Sequence, residues 1–278
     1  MRRDSDKTKN RRIMKNIIIL LLGVLLLNSC TKVVIIELES TEPKLVVESL
    51  ISDSLQPYKV KLTMLAPYFD ESNPVVDNAL VYISDDMGNT DTLFYSGDGV
   101  YLTTGNEQVL AGRTYSLKII HNGATYEANS RVPDYKLIID SLTYIYNQQS
   151  AFIEEGYNVI INGQENPLEG DFIRFIFYKN DTLQTDPFKY FISDDLYVNG
   201  SYIQARVPYN YQSGDIARAE VQSINRDYYR FLYTISLQEQ NTGGPFDSAP
   251  ANPPTNLTNG ALGYFAACLV STKEVVIP

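Results

Sequence analysis

Residues able to do chemistry are sparse in this chain, and their spacing excludes more reactions than it suggests. His121 is the single histidine, and it adjoins Asn122-Gly123, a strong hairpin-turn signal. A Ser-His-Asp or Cys-His arrangement needs a nucleophile held beside that imidazole, and no motif supplies one. One histidine without a cysteine pair gives no zinc site. Oxygen ligands are more plentiful: Asp85, Asp86, Asn89 and Asp91 crowd one turn, although their spacing departs from that of an EF-hand loop. The adjacent acids Glu154-Glu155 and Asp194-Asp195 are the raw material of a glycosidase, which needs two carboxyl groups at a set separation. No Gly-x-Gly-x-x-Gly or Walker-type segment indicates a nucleotide. The expectation is therefore a non-catalytic chain with no cofactor and no resident metal. A cell-envelope hydrolase using paired carboxylates is the alternative.

The two cysteines stand in opposite settings. Cys268 lies within Gly263-Tyr264-Phe265-Ala266-Ala267-Cys268-Leu269-Val270, the company of a small buried hydrophobe. Cys30 closes a segment that opens with Arg11, Arg12 and Lys15 and continues as an apolar run from Ile17 to Leu27. Eleven residues rise only about 16 Å as a helix, short of a bilayer core of roughly 30 Å. The pattern is that of a signal peptide, over residues 1–29, with Met14 as an alternative start. The ending Leu27-Asn28-Ser29-Cys30 resembles a bacterial lipobox, so Cys30 is expected to be lipidated and to hold the body at a membrane through the tether 30–44. Cleavage there removes seven basic and two acidic residues and takes the formal charge from −10 to −15. Such a balance repels nucleic acid and anionic headgroups. The lipid is then the membrane contact, and several acyl chains hold without a basic patch.

The rest of the chain is punctuated like an all-β protein. Tyr58, Val60, Leu62 and Met64 alternate with Lys59, Lys61 and Thr63, the period of a half-buried strand. Further short strands follow over 79–84, 92–95, 100–102, 115–119 and 124–131, divided by Gly, Asn and Asp turns. Seven short strands in about ninety residues suggest an Ig-like or transthyretin-like β-sandwich over 45–134. Pro133-Asp134-Tyr135 reads as a domain boundary. Residues 135–278 then form a second β-rich domain with one helix near 225–240, marked by Tyr228, Phe231, Leu232 and Ile235 at helical spacing and by Asn225 as N-cap. Leu262–Leu269 and Val275–Ile277 read as two closing strands.

Between the helix and those strands, 246–260 is too long for a simple connection. Its prolines lower the entropy cost of presenting a fixed shape, which makes Phe246, Pro253, Pro254 and Asn256 candidate partner contacts. The chain has 21 tyrosines and no tryptophan. Tyrosine serves both strand packing and recognition surfaces, so it does not decide between them.

Several of these segments together resemble one family. They are the lipobox followed by Pro43-Lys44-Leu45-Val46-Val47, the Gly112-Arg113-Thr114-Tyr115-Ser116-Leu117 strand running on to Val132-Pro133, and Asp140-Ser141-Leu142. Ser193-Asp194-Asp195-Leu196 and the block from Asn256 to Phe265 complete the set. The chain is similar to the domain-of-unknown-function 4249 lipoproteins of Bacteroidetes-type bacteria. The resemblance implies an outer-membrane location and company with a TonB-dependent transporter, and it implies no activity. Thr31-Lys32-Val33-Val34 lacks the acidic cluster that accompanies surface export in such bacteria, so the periplasmic face is expected.

Overall fold

The computed structural model describes residues 14, 43–65, 73–150, 154–185, 190–196, 199–239 and 251–278. The leader, Cys30 and Phe246 lie outside them. The protein is mainly β; the described residues include one named helix, and no helix among them is long and apolar enough to cross a membrane.

Two sheets are built. The larger begins with β1 (Leu45–Ser52), β2 (Lys59–Met64), β3 (Leu80–Asp85), β4 (Thr90–Gly97), β5 (Val100–Leu102), β6 (Thr114–His121) and β7 (Ala124–Arg131). It also takes β10 (Phe172–Lys179), β11 (Thr182–Leu183), β12 (Phe191–Asp194), β14 (Ile216–Ile224) and β15 (Leu262–Val276). The strand order runs β11-β10-β14-β15-β1-β2-β5-β4-β3-β6-β7, with β12 beside β10. The smaller sheet is β13-β9-β8, built from β8 (Ser141–Asn147), β9 (Gly156–Gln164) and β13 (Tyr202–Tyr211). The alternation read from the sequence shows directly in β2, where Val60 and Leu62 are buried between Lys59 and Lys61. Asn122-Gly123 turns β6 into β7 with both residues at positive φ, 49° and 78°. This is the conformation that a two-residue type I′ hairpin requires.

One strand spans the molecule. The two closing strands expected from sequence are a single β15 of 15 residues, roughly 50 Å long. Its first half pairs parallel with β1, Val46 opposite Leu262 through Ser52 opposite Cys268. Its second half pairs antiparallel with β14. The polar stretch Ser271-Thr272-Lys273-Glu274 does not break the strand; it marks the point where one face emerges into solvent. The larger sheet rolls over, so that Ser130 Oγ on β7 accepts the Ala267 N–H of β15 at 3.0 Å. Phe265, Ala267 and Leu269 thus complete the core made by β1 to β7.

The expected boundary near 133–139 falls inside one compact unit, Glu42–Pro278. Leu137 and Ile139 are buried. Their N–H groups donate to Ser223 Oγ on β14 and Ser271 Oγ on β15, both at 2.9 Å. Hydroxyl groups from neighbouring strands satisfy this backbone, so the segment is core and not an exposed linker.

The helix α1 (Arg226–Glu239) begins where its cap was expected. Asn225 Oδ1 accepts the Tyr228 N–H at 2.9 Å, while its amide donates to Ser130 Oγ and Arg131 O. One side chain thus starts the helix and ties it to β7. Tyr228 and Leu232 then pack on Tyr264, Ala266 and Cys268, the β15 face opposite the β1–β7 core.

Two outcomes test this architecture. Residues 45–133 expressed alone lack β15, and their NMR spectrum should be poorly dispersed with no cooperative melt. A dispersed spectrum would show that they need nothing from the C-terminus. At Gly263, φ is +89° and an added Cβ would run into the Val47 carbonyl. Gly263→Ala should therefore cost about 3 kcal/mol in urea unfolding, combining the positive-φ penalty with displacement of β1.

Candidate functional site

A cleft of about 530 Å³ lies between α1 and the sheet, within the range of small-molecule sites. Its floor is β1 and the start of β15, including Glu48, Gly263 and Tyr264. Lys59 and Lys61 form one wall from β2, whose register sets Lys61 opposite Glu48. Helix residues Phe231, Leu232 and Ile235 form the other, and Arg174 with Tyr190 closes one end. Rings line the helix side: Tyr264 lies 5.2 Å from Tyr228 and 5.0 Å from Phe231, centroid to centroid. The Arg174 guanidinium sits 5.7 Å from the Tyr190 ring centroid. Arg174 Nε is closed off from solvent with no hydrogen-bond partner. Burial pushes the Tyr228 hydroxyl up to about 12, with Arg174 pulling the other way, so it stays a neutral donor at ordinary pH. The sequence reading placed Tyr228, Phe231, Leu232 and Ile235 on one helix face, as core, and Lys59 and Lys61 on one strand, but assigned none of these residues to a site. One signal was available, a lone cation inside the apolar run Phe172-Ile173-Arg174-Phe175-Ile176-Phe177.

The residues that the sequence did single out are mostly occupied. In the acidic turn, Asp85 Oδ1 accepts the N–H groups of Met87 and Asn89, at 2.9 and 3.0 Å. Arg113 bridges Asp85, at 2.9 Å, and Asp86. Hydrogen bonds and that guanidinium hold both carboxyls below the usual range. One guanidinium and the turn's own N–H groups thus occupy both carboxylates from within. Among the described residues His121 meets the Asn122 amide, at 3.1 Å, and no nucleophile. Cys268 is fully buried, and burial pushes its thiol up, so it does not form a thiolate nucleophile. Glu155 accepts the Tyr146 hydroxyl at 2.6 Å.

Asp194 and Asp195 do not act as a pair. Asp195 turns inward to join Glu165 and Asp171, with carboxylate oxygens within 4.8 Å of one another. The N–H groups of Gly170 and Asp171 donate to Asp195 Oδ2 at 2.6 and 3.1 Å, and Gly200 N donates to Glu165 Oε2 at 2.7 Å. The adjoining space is about 20 Å³, room for one water and none for a sugar ring. Burial, then the neighbouring acids, raises Glu165, and burial followed by Asp195 raises Asp171. Sequence reasoning had Asp195 but not Glu165 or Asp171, because three separate segments bring them together.

The described part of the long loop is held against the body. The Asn256 amide donates to Asn129 O and Phe265 O at 2.9 and 2.8 Å, and its carbonyl accepts Phe265 N at 3.1 Å. Thr258 exchanges two hydrogen bonds with Glu127 on β7. Asn256 is therefore committed inside the protein, Pro253 is half-buried and Pro254 is exposed.

Another surface is open. β8 is an edge strand whose outer side has no strand partner among the described residues. Its sequence Ser-Leu-Thr-Tyr-Ile-Tyr-Asn has no charge and no proline, and Tyr144, Ile145 and Tyr146 are all more than two-fifths exposed.

The acidic nook gives a prediction with a definite sign. Carboxyls raised by folding are more easily charged in the unfolded chain, so they oppose folding at neutral pH, and that cost fades as pH falls into the raised range. Asp171→Asn should thus be more stable than the parent at pH about 7.5, with the difference shrinking towards pH about 4. Urea melts at several pH values would read this, and a pH-independent difference would contradict it.

No curated protein matches the chain. A family model described as a domain of unknown function, DUF4249, matches residues 31–274. That match covers nearly the whole chain, and with it the cleft, the nook and the β8 edge, so the protein belongs to the DUF4249 family.

Proposed function

We propose that the protein is an outer-membrane-anchored lipoprotein with a non-catalytic binding or accessory role, working beside a TonB-dependent transporter on the periplasmic face. The observation that carries the binding role is the β8 edge. Sheet edges invite another strand, and proteins blunt them with charge, proline, bulges or covering segments. Here β7 is covered by the strap around Asn256 and Thr258. β13 has Pro208 and a register break between Arg206 and Asn210. β11 has only two residues and β12 only four. β8 alone has none of these devices.

An extended segment of the transporter would add to β8 through main-chain hydrogen bonds, with Tyr144, Ile145 and Tyr146 covering its side chains. Asp140, Glu154 and Glu155 flank the strand ends, which favours a segment uncharged at its centre and basic beyond it. Pro254 and Pro253, with Phe246, form the second contact in this reading.

Two experiments test it. Cys30→Ala should abolish acyl labelling and release the body from membranes, and persistent labelling would reject the lipid anchor. Affinity capture after gentle detergent extraction should retain a transporter with the parent protein and lose it with Ile145→Lys. Capture without any transporter rejects the partnership. Equal capture by Ile145→Lys rejects the edge, and equal capture by a variant with Phe246, Pro253 and Pro254 changed to Ala rejects the loop.

A further inference from the structure

The cleft between α1 and the sheet has a chemistry opposite to that of the rest of the chain. The protein has a formal charge of −10, yet Lys59, Lys61 and Arg174 line one cavity against a single carboxylate, Glu48. Several basic side chains elsewhere find acids, among them Arg113 with Asp85 and Asp86, Lys136 with Asp53 at 2.8 Å, and Lys179 with Asp215 at 2.8 Å. The described cations that do not, such as Arg206 and Lys273, do not gather in one cavity with others. No carboxylate among the described residues forms an ion pair with any of the three cleft cations. Arg174 Nε is turned away from solvent and has no hydrogen-bond partner among the described residues, while the residue itself lines the cavity. The rest of the guanidinium is the part that an acceptor in the cleft could meet.

Its opposite wall is apolar and flat. Phe231 and Tyr264 present ring surface on the helix side, with Leu232 and Ile235 beside them. A ligand spanning the cleft would meet cations on one side and ring faces on the other.

We infer that the cleft binds an oxyanion carried on a flat ring, with Arg174, Lys59 and Lys61 holding the oxyanion and Phe231 and Tyr264 packing against the ring. A guanidinium offers planar paired donors to carboxylate or phosphate oxygens, and the lysines add mobile charge. The Tyr228 hydroxyl, at the Arg174 end, adds a neutral donor. Carboxylate and phosphate share this chemistry, and the ring packing separates ring-borne anions from the free ion. Glu48 opposite Lys61 limits the net positive charge, which favours ligands with one or two negative charges over polyanions.

Isothermal titration of the full chain with four probes tests the proposal: 2-naphthoate, 2-naphthyl phosphate, uncharged 2-naphthamide and inorganic phosphate. The two ring-borne anions should bind, with the amide and inorganic phosphate each at least tenfold weaker. Raising salt from about 0.05 to 0.5 M should weaken the anions and leave the amide unchanged. Arg174→Met keeps the stem volume and should lose at least tenfold for both ring-borne anions. Should that variant melt early, the double variant Lys59→Met with Lys61→Met, on the solvent-facing side of β2, should produce the same loss in a folded protein. Binding of the amide as tight as that of naphthoate would reduce the cleft to an apolar groove and overturn the inference. Inorganic phosphate binding as tightly as 2-naphthyl phosphate would remove the ring from it. Absence of binding by both ring-borne anions at millimolar concentration would also overturn it.

Discussion

The parallel pairing of β1 with β15 is the constraint on which the rest of this structure depends. It joins residues more than two hundred positions apart and carries the C-terminal strand into the N-terminal core. The closest approach is at Val47 and Gly263, where a side chain on residue 263 would meet the Val47 carbonyl. A parallel pair also needs both faces covered. On one face Phe265, Ala267 and Leu269 enter the core of β1 to β7, and on the other Tyr264, Ala266 and Cys268 receive the helix. Burial on both sides explains the run of small and apolar residues from Ala261 to Val270, and it explains why Cys268 is chemically silent.

The cleft follows from a mismatch of lengths. α1 has 14 residues and is about 21 Å long, while the sheet it lies on is many strands wide. Asn225 fixes the helix start to Ser130 and Arg131, so the helix lies on β10, β12 and β15, with Leu50 near the end of β1 beside it, and leaves the rest of β1 and β2 uncovered. Their outer face, with Glu48, Lys59 and Lys61, is left as the open side of the cavity. The N-cap therefore does more than stabilise one helix. It determines which part of the sheet remains uncovered.

What could be read from the sequence was what local physics determines. Alternation in β2, the Asn122-Gly123 turn and the Asn225 cap each depend on a few neighbouring residues, and each was legible. Pro133-Asp134 has linker composition, while the hydroxyls of Ser223 and Ser271 that hold the buried segment after it are some ninety to one hundred and thirty positions away, so that burial leaves no mark on the local sequence. β15 was read as two strands because Ser271 to Glu274 looks like a break. It is one strand because β14 offers a partner along that whole stretch. The same reasoning accounts for the site residues. Asp195 is remote in sequence from Glu165 and Asp171, which flank one connection, and Lys59 is remote from Arg174, so it is the fold that brings each set together.

Arg113 and Arg174 show how charge separates a structural role from a binding one. Arg113 lies between two carboxylates that fold with it, and every part of that arrangement serves the turn at Asp85. Among the described residues Arg174 has a tyrosine ring at 5.7 Å and no carboxylate in ion-pairing distance. A cation–π contact of that kind returns about 0.5–2 kcal/mol and leaves the charge of the guanidinium uncompensated. Its charge therefore serves no turn or strand in the way that Arg113 serves Asp85. Placed at the end of a cleft that two lysines also line, a guanidinium of this kind is the group that an anion would meet through charge-assisted hydrogen bonds, and this is the physical reason to regard the cleft as a binding site.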